Sequence, residues 1–235
     1  MDDRLYFRQL LAGRDFAVAD PIARQMVNFV YLVGDREKGE AVVIDPAYGI
    51  TDLLHILDED DMRLTGALVT HYHPDHVGGS MAGFEIAGVA ELLAERPVPI
   101  HVQRDEAQWV QRVTGAADSD LAQHDSGDVV MVGDIPIELI HTPGHTPGSQ
   151  CFFIDGRLVA GDTLFLEGCG RTDFPGSDPG QMWDSLQKLA SLPDDVVVYP
   201  GHLYAPDAFA PLAEVKATNY VYRVHDREQW VGAFS

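Results

Sequence analysis

Residues 70–76 read THYHPDH, directly after the apolar run LTGALV at 64–69. The apolar run reads as a buried strand, 64–70, whose end delivers three histidines and an aspartate within six positions. A core gains nothing from that mixture, whereas neutral imidazole and carboxylate are ligands for zinc and other first-row metals. If the segment stays extended, residues 71, 73 and 75 point the same way, and Pro74 biases His73 away from the helical region. His76 then points elsewhere. One segment can therefore serve two adjacent ions, His71 and His73 binding one, Asp75 and His76 the other.

Each ion needs further ligands, and the remaining candidates also stand at strand ends. His145 follows the strand 135–142 through TPG, Asp162 closes the strand 157–161, and His202 follows the strand 196–200. Four strand ends converging on one sheet edge would place all seven residues in loops that can be shaped for function. Asp162 has two oxygens and can bridge. A hydroxide held between the ions would then be the reacting group, with Asp75 and Asp162 as the catalytic carboxylates around it. His55, His101, His124, His141 and His225 read as structural.

The rest of the chain supplies a frame. The runs 28–34 and 40–46 read as a hairpin, as do 128–133 with 135–142 and 150–155 with 157–162, the last turning at Asp155-Gly156. A helix is expected over 51–62 with Thr51 as N-cap, and another from Asp178, with Pro179 in the first position. Residues 81–113 read as two helical pieces around a strand at 98–102, a candidate lid or contact between copies in a homo-oligomer. The tail 206–235 reads as one or two short helices. Hairpins and mixed units with helices interspersed suggest an α/β (α+β) chain, a single domain over 1–235 in which two mixed sheets pack together with helices outside.

Composition narrows the function classes. The formal charge is −21, which repels nucleic-acid backbones and anionic membrane surfaces. No run of about 18 apolar residues suggests a membrane span, and the opening stretch lacks the pattern of a signal peptide; the expectation is a cytoplasmic protein. The two cysteines, Cys151 and Cys169, form no Cys-x-x-Cys pair and read as small buried hydrophobes.

HYHPDH, TPGHTPGS (142–149), AGDTLF (160–165) and YPGH (199–202) together resemble the metallo-β-lactamase-fold superfamily, in the same order and spacing. The resemblance covers residues 28 to about 205. It implies a four-layered αβ/βα sandwich and metal-ligand roles for His71, His73, Asp75, His76, His145, Asp162 and His202. The segment GDTLFLEGCGRTDF (161–174) further resembles the glyoxalase II and persulfide dioxygenase branch. That implies substrate contacts for Arg171 and Tyr204 and a small thiol-derived substrate.

Two chemistries follow from the resemblance. The first is a metal-dependent, hydroxyacylglutathione hydrolase-like enzyme, in which a metal-bound hydroxide from a pair of divalent ions, zinc foremost, cleaves a thioester. The second is a persulfide dioxygenase with one Fe(II) held by His71, His145 and Asp162. Lactone or ester hydrolysis is a further option of the same fold. Only 33 residues follow His202. That is too few for the helical substrate domain of glyoxalase II, and EVKATNYVYRVHDREQW lacks clear counterparts of its basic residues, so glutathione is not the expected thiol.

Overall fold

A computed structural model describes residues 4–234; residues 1–3 of the opening stretch and Ser235 of the tail lie outside the described residues. The chain opens with β1 (Leu5–Leu11), a short helix α1 (Pro21–Met26) and the expected hairpin of β2 (Phe29–Asp35) and β3 (Glu40–Ile44). Helix α2 (Ile50–Glu59) returns the chain so that β4 (Arg63–Leu68) runs parallel to β3. Helix α3 (Pro74–Val77), a small hairpin of β5 (Gly79–Met81) and β6 (Phe84–Ile86), and helix α4 (Val89–Glu95) lead to β7 (Ile100–Gln103). Helix α5 (Ala107–Thr114) leads to β8 (Leu121–His124). The resulting mixed sheet has the order β1-β2-β3-β4-β7-β8.

The second sheet takes β9 (Val129–Val132), β10 (Ile135–His141), β11 (Gln150–Ile154) and β12 (Arg157–Gly161) as an antiparallel meander. Helix α6 (Pro179–Ala190) then crosses over to β13 (Val197–Pro200), parallel to β12, and β14 (Ala210–Pro211) completes the order β14-β13-β12-β11-β10-β9. Helices α7 (Leu212–Thr218) and α8 (Arg227–Phe234) close the described chain.

Strand periodicity builds the layers. Along β2, Phe29, Tyr31 and Val33 face the second sheet, where they meet Ile137, Leu139, Phe152 and Val159. The alternate residues Val30 and Leu32 face outward onto Leu53 and Leu57 of α2, Leu92 of α4 and Val110 of α5. A third cluster packs Leu158, Ala160 and Val198 against Met182 and Leu186 of α6, Val215 of α7 and Trp230 of α8. Three apolar layers between helix, sheet, sheet and helix make the four-layered sandwich. The strands β2 and β3, covered on both faces, are near-continuous buried runs, whereas β9 and most of β10 alternate buried and exposed residues.

Several local expectations are met for the stated reasons. Asp178 caps α6, its Oδ1 accepting from Gln181 N at 2.8 Å, and Pro179 follows in the first turn. Asp155 and Gly156 both have positive φ, 45° and 75°, as a tight primed hairpin turn requires. Other elements differ. Helix α2 starts at Ile50 behind Gly49, so Thr51 lies inside the first turn and does not cap it. Residues 81–86, expected to be helical, belong instead to the β5–β6 hairpin over 79–86, and β1, α1 and β8 were not anticipated. No helix among the described residues is long and apolar enough to cross a membrane.

Trp230 is fully buried and donates its indole N–H to Val221 O at 3.0 Å. Trp230→Ala should therefore cost about 3–5 kcal/mol of unfolding free energy in urea titration. A loss below about 1 kcal/mol would mean that α8 is not part of the cooperative unit.

Candidate metal centre

One parallel crossover in each sheet, β3–α2–β4 and β12–α6–β13, and the β10–β11 loop bring four chain segments to one edge of the sandwich. His71 and His73 leave the end of β4, and His145 stands in the loop after β10. Asp162 follows β12, and His202 follows β13. His71, His76, His145 and His202 are each at most 3% exposed. The segment 71–76 is not extended throughout. His73 is extended (φ −62°, ψ 142°), but Pro74 opens the single-turn helix α3. That turn, and not strand alternation, separates the His71/His73 pair from the Asp75/His76 pair, because Pro favours the first position of a helix.

Two donor clusters result. In the first, His73 Nδ1 lies 3.1 Å from His71 Nε2 and 2.9 Å from His145 Nε2. In the second, His76 Nε2 and His202 Nε2 are 3.2 Å apart, and Asp75 Oδ2 is 3.6 and 3.4 Å from them. Asp162 stands between the two. Its Oδ1 is 3.4 Å from His76 Nε2, and its Oδ2 is 3.4 Å from His202 Nε2 and 3.6 Å from His145 Nε2. All seven expected ligands are thus brought together.

The remote ring nitrogens decide which tautomer faces inward. His145 Nδ1–H donates to Arg171 O at 2.7 Å, and His202 Nδ1–H to Met26 O at 2.8 Å. His76 Nδ1–H donates to Asp45 Oδ2 at 2.9 Å. Thr70 gives its hydroxyl proton to the same Asp45 oxygen at 2.6 Å, so Thr70 Oγ1 accepts from His71 Nδ1–H at 3.0 Å. With every Nδ1 of these four rings occupied as a donor, each ring in its neutral form turns the lone pair of Nε2 toward the centre. Oδ1 of Asp162 is buried without any hydrogen-bond partner. Facing lone pairs at this spacing repel, and an unpartnered buried carboxylate oxygen is costly. A divalent cation in each cluster removes both penalties, so the residues fit the metals that the sequence implies.

The surrounding charges agree. Burial drives His71 well below its ordinary range and His73 to about 4, leaving both neutral. Burial works against protonation of His76 too, yet the carboxylates of Asp162, Asp75 and Asp45 lift it to about 10, so without a cation a proton occupies its Nε2, and an ion in the second cluster would take that proton's place. Asp162 stays ionised despite its burial, held well below the carboxylate range by His202 and His76. The site carries a negative excess that suits a cation.

Three supporting residues escaped the sequence reading. Asp45 ends the apolar run of β3 and adopts left-handed backbone (φ 55°); its carboxylate holds His76 and Thr70, accepting also from Thr70 N at 2.7 Å. It carries the same signal as Asp162, an acidic residue closing a buried strand. Asn28 donates to Asp75 Oδ2 at 3.1 Å and accepts from Tyr48 Oη at 3.0 Å. Glu106, 1% exposed, accepts from Tyr72 N at 2.7 Å, Thr146 Oγ1 at 2.8 Å and Gly148 N at 2.7 Å. It thereby ties the loop of His71 and His73 to the loop of His145. Its run, QRDEAQW, offers no signal of this role.

Two motif glycines have a steric reason. A Cβ on Gly201 would lie 2.4 Å from Asp162 Oδ1, and one on Gly170 would lie 2.1 Å from Asp162 O. Above the donors opens a cavity of about 610 Å³, whose wall includes Tyr72, Phe165, Cys169, Arg171, Phe174 and Tyr204. Arg171 and Tyr204 both reach this wall. The guanidinium of Arg171 is taken by Asp173 in a two-pronged pair (2.8 and 2.6 Å) and lies over the Phe174 ring. Tyr204 stacks on His202 with ring centres 4.6 Å apart. Cys169 is a free thiol that burial pushes up to about 12, so it stays protonated.

A sandwich with this metal-donor edge defines a metallo-β-lactamase-type protein. The profile of the metallo-beta-lactamase superfamily matches residues 23–202, and the chain belongs to that superfamily. Among curated relatives, a protein named hydroxyacylglutathione hydrolase from Rhodopseudomonas palustris is 42% identical over 179 residues, 75% of this chain. The match spans 63% of that relative's length, so less than two thirds of it has a counterpart here. A probable polyketide biosynthesis zinc-dependent hydrolase, BaeB, from Bacillus velezensis is 32% identical, covering 87% of this chain and 85% of its own. The crystal structure of ETHE1 from Myxococcus xanthus superposes with a TM-score of 0.77 at 31% identity, over 97% of this chain and 89% of that one.

Asp45→Asn removes the carboxylate on which His76 and Thr70 depend. Zinc affinity, measured by chelator competition, should fall about 10–100-fold with the fold retained. An unchanged affinity would exclude Asp45 as the support of that ligand.

Proposed function

We propose that the chain is a metal-dependent hydrolase of thioester substrates. The observation that carries this reading is the pair of inward-facing donor clusters sharing Asp162 at the floor of one open cavity. His71, His73, His145 and Asp162 would hold one ion, and Asp75, His76, His202 and Asp162 the other, with zinc the first choice. When bound, two such ions supply Lewis acidity that lowers the pKa of a water and polarises a carbonyl.

The chain's own residues do the rest. The fixed Nδ1 bonds of His71, His76, His145 and His202 keep their donor atoms aimed without reorganisation. Asp162, held ionised, touches both clusters and fixes their separation. Tyr204 and Phe165, with ring centres 5.1 Å apart, narrow the approach to His202. A thiolate leaving group has a free pKa of about 8.5 and needs no acid to depart. That matches a wall where the histidines are all committed as donors and the lone thiol remains protonated. Free cysteines at 151 and 169 suit a reducing, cytoplasmic setting.

A second reading is supported by the nearly full-length likeness to ETHE1. His71, His145 and Asp162 offer two imidazoles and a carboxylate, a set that also suits a single Fe(II) in a persulfide dioxygenase. Metal analysis of protein purified without added metal separates the two. About two zincs per chain are expected for the hydrolase; about one iron, with oxygen consumed on addition of a thiol persulfide, would replace it.

Asp162→Ala takes a donor from both clusters at once. Thioester hydrolysis should fall by more than about 100-fold, beyond the loss expected for a supporting residue, while circular dichroism remains that of the parent. Turnover at the parental rate would end the two-ion reading.

A further inference from the structure

Resting on the hydrolase reading, we propose that the thiol half of the substrate carries no net negative charge: an uncharged, amide-bearing thiol and not glutathione. The wall of the 610 Å³ cavity gives the reason. Apart from the candidate metal ligands Asp75 and Asp162, its charged side chains are Glu167 and Arg171. Glu167 is exposed and repels an anion. Arg171 is the single Lys or Arg of the wall among the described residues, and both prongs of its guanidinium are taken by Asp173.

Glutathione carries two carboxylates and one ammonium near neutral pH. Each carboxylate brought to this wall must displace Asp173 from Arg171 or remain unpaired, and an unpaired anion leaving water is penalised. Displacement exchanges one ion pair for another and gains little. The formal charge of −21 adds a repulsive field to the approach.

What the wall does offer is uncharged. Tyr72, Phe165, Phe174, Tyr204 and Tyr220 contribute ring faces and edges. Tyr204 and Tyr220 are 51% and 52% exposed, and their hydroxyls make no hydrogen bond to the described residues. Two phenols without partners and a set of aromatic faces suit amide groups, which pack on rings and accept or donate neutral hydrogen bonds. The carrier's thiol end must reach the floor beside His145 and His202, where the acyl carbonyl would sit.

The test compares lactoyl-pantetheine with lactoyl-glutathione as substrates of the zinc-loaded protein. Pantetheine is an uncharged diamide thiol of similar size. The expected result is a kcat/KM at least about tenfold higher for the pantetheine ester, the scale of one missing charge-assisted hydrogen bond. Asp173→Asn, which releases Arg171, should raise kcat/KM for the glutathione ester several-fold, about the worth of a charged contact, and leave the pantetheine ester within about twofold. Equal or faster hydrolysis of the glutathione ester by the parent protein would overturn the inference and leave the hydrolase reading standing. If neither ester is cleaved, the hydrolase reading falls. Calorimetric binding of S-propyl pantetheine and S-propyl glutathione then decides the carrier, tighter binding of the glutathione thioether overturning the inference.

Discussion

Four buried imidazoles with their Nε2 atoms turned on one another are the constraint around which this protein is organised. No packing advantage explains them, and each is held in that orientation by an acceptor behind it: Arg171 O, Met26 O, Asp45, and Thr70 leaning on Asp45. Such an arrangement is stable only with positive charge at its centre. The polar supports are themselves placed by backbone that the two sheets fix, so the site and the sandwich specify each other.

The division of labour between fold and site follows from topology. Each sheet contains a parallel crossover, β3–α2–β4 and β12–α6–β13, and each crossover ends a strand at the same edge of the sandwich. Ligands can thus be set on rigid strand ends while the loops beyond them shape the cavity. Helices α2 and α6 cover opposite outer faces and contribute burial, each fully covered Leu or Met being worth about 1.5–3 kcal/mol. The chemistry and the stability are therefore drawn from different parts of the chain.

Much of this was legible in the sequence because the signals were local. Polar donors closing apolar runs gave His71, His145, Asp162 and His202, and the Asp178-Pro179 pair gave the start of α6. Asp45 obeys the same rule, yet a single acid before a proline does not stand out without its partners His76 and Thr70. Glu106 had no local signal, since its role exists only when loops distant in sequence meet. The α3 turn was missed because Pro74 both keeps His73 extended and opens a helix after it, and sequence alone favours neither effect. Thr51 was a plausible cap, but α2 begins one residue earlier, where Tyr48 (φ 69°) and Gly49 bend the chain beneath the site.

One feature of the architecture reaches beyond catalysis. His71, His73, Asp75 and His76 belong to the first sheet, whereas His145, Asp162 and His202 belong to the second. Each donor cluster therefore straddles the seam. Hydrogen bonds stitch the same seam: Phe29 N to Gly201 O at 2.8 Å, Leu203 N to Val27 O at 3.0 Å, and Gln150 N to Thr70 O at 2.9 Å. An ion seated there acts as a rivet between two plates. Its hold is a gauge of how well the plates are aligned, and at about a thousandfold excess over the dissociation constant it adds roughly 4 kcal/mol to their union. Slippage between the halves would loosen the rivet long before either plate came apart.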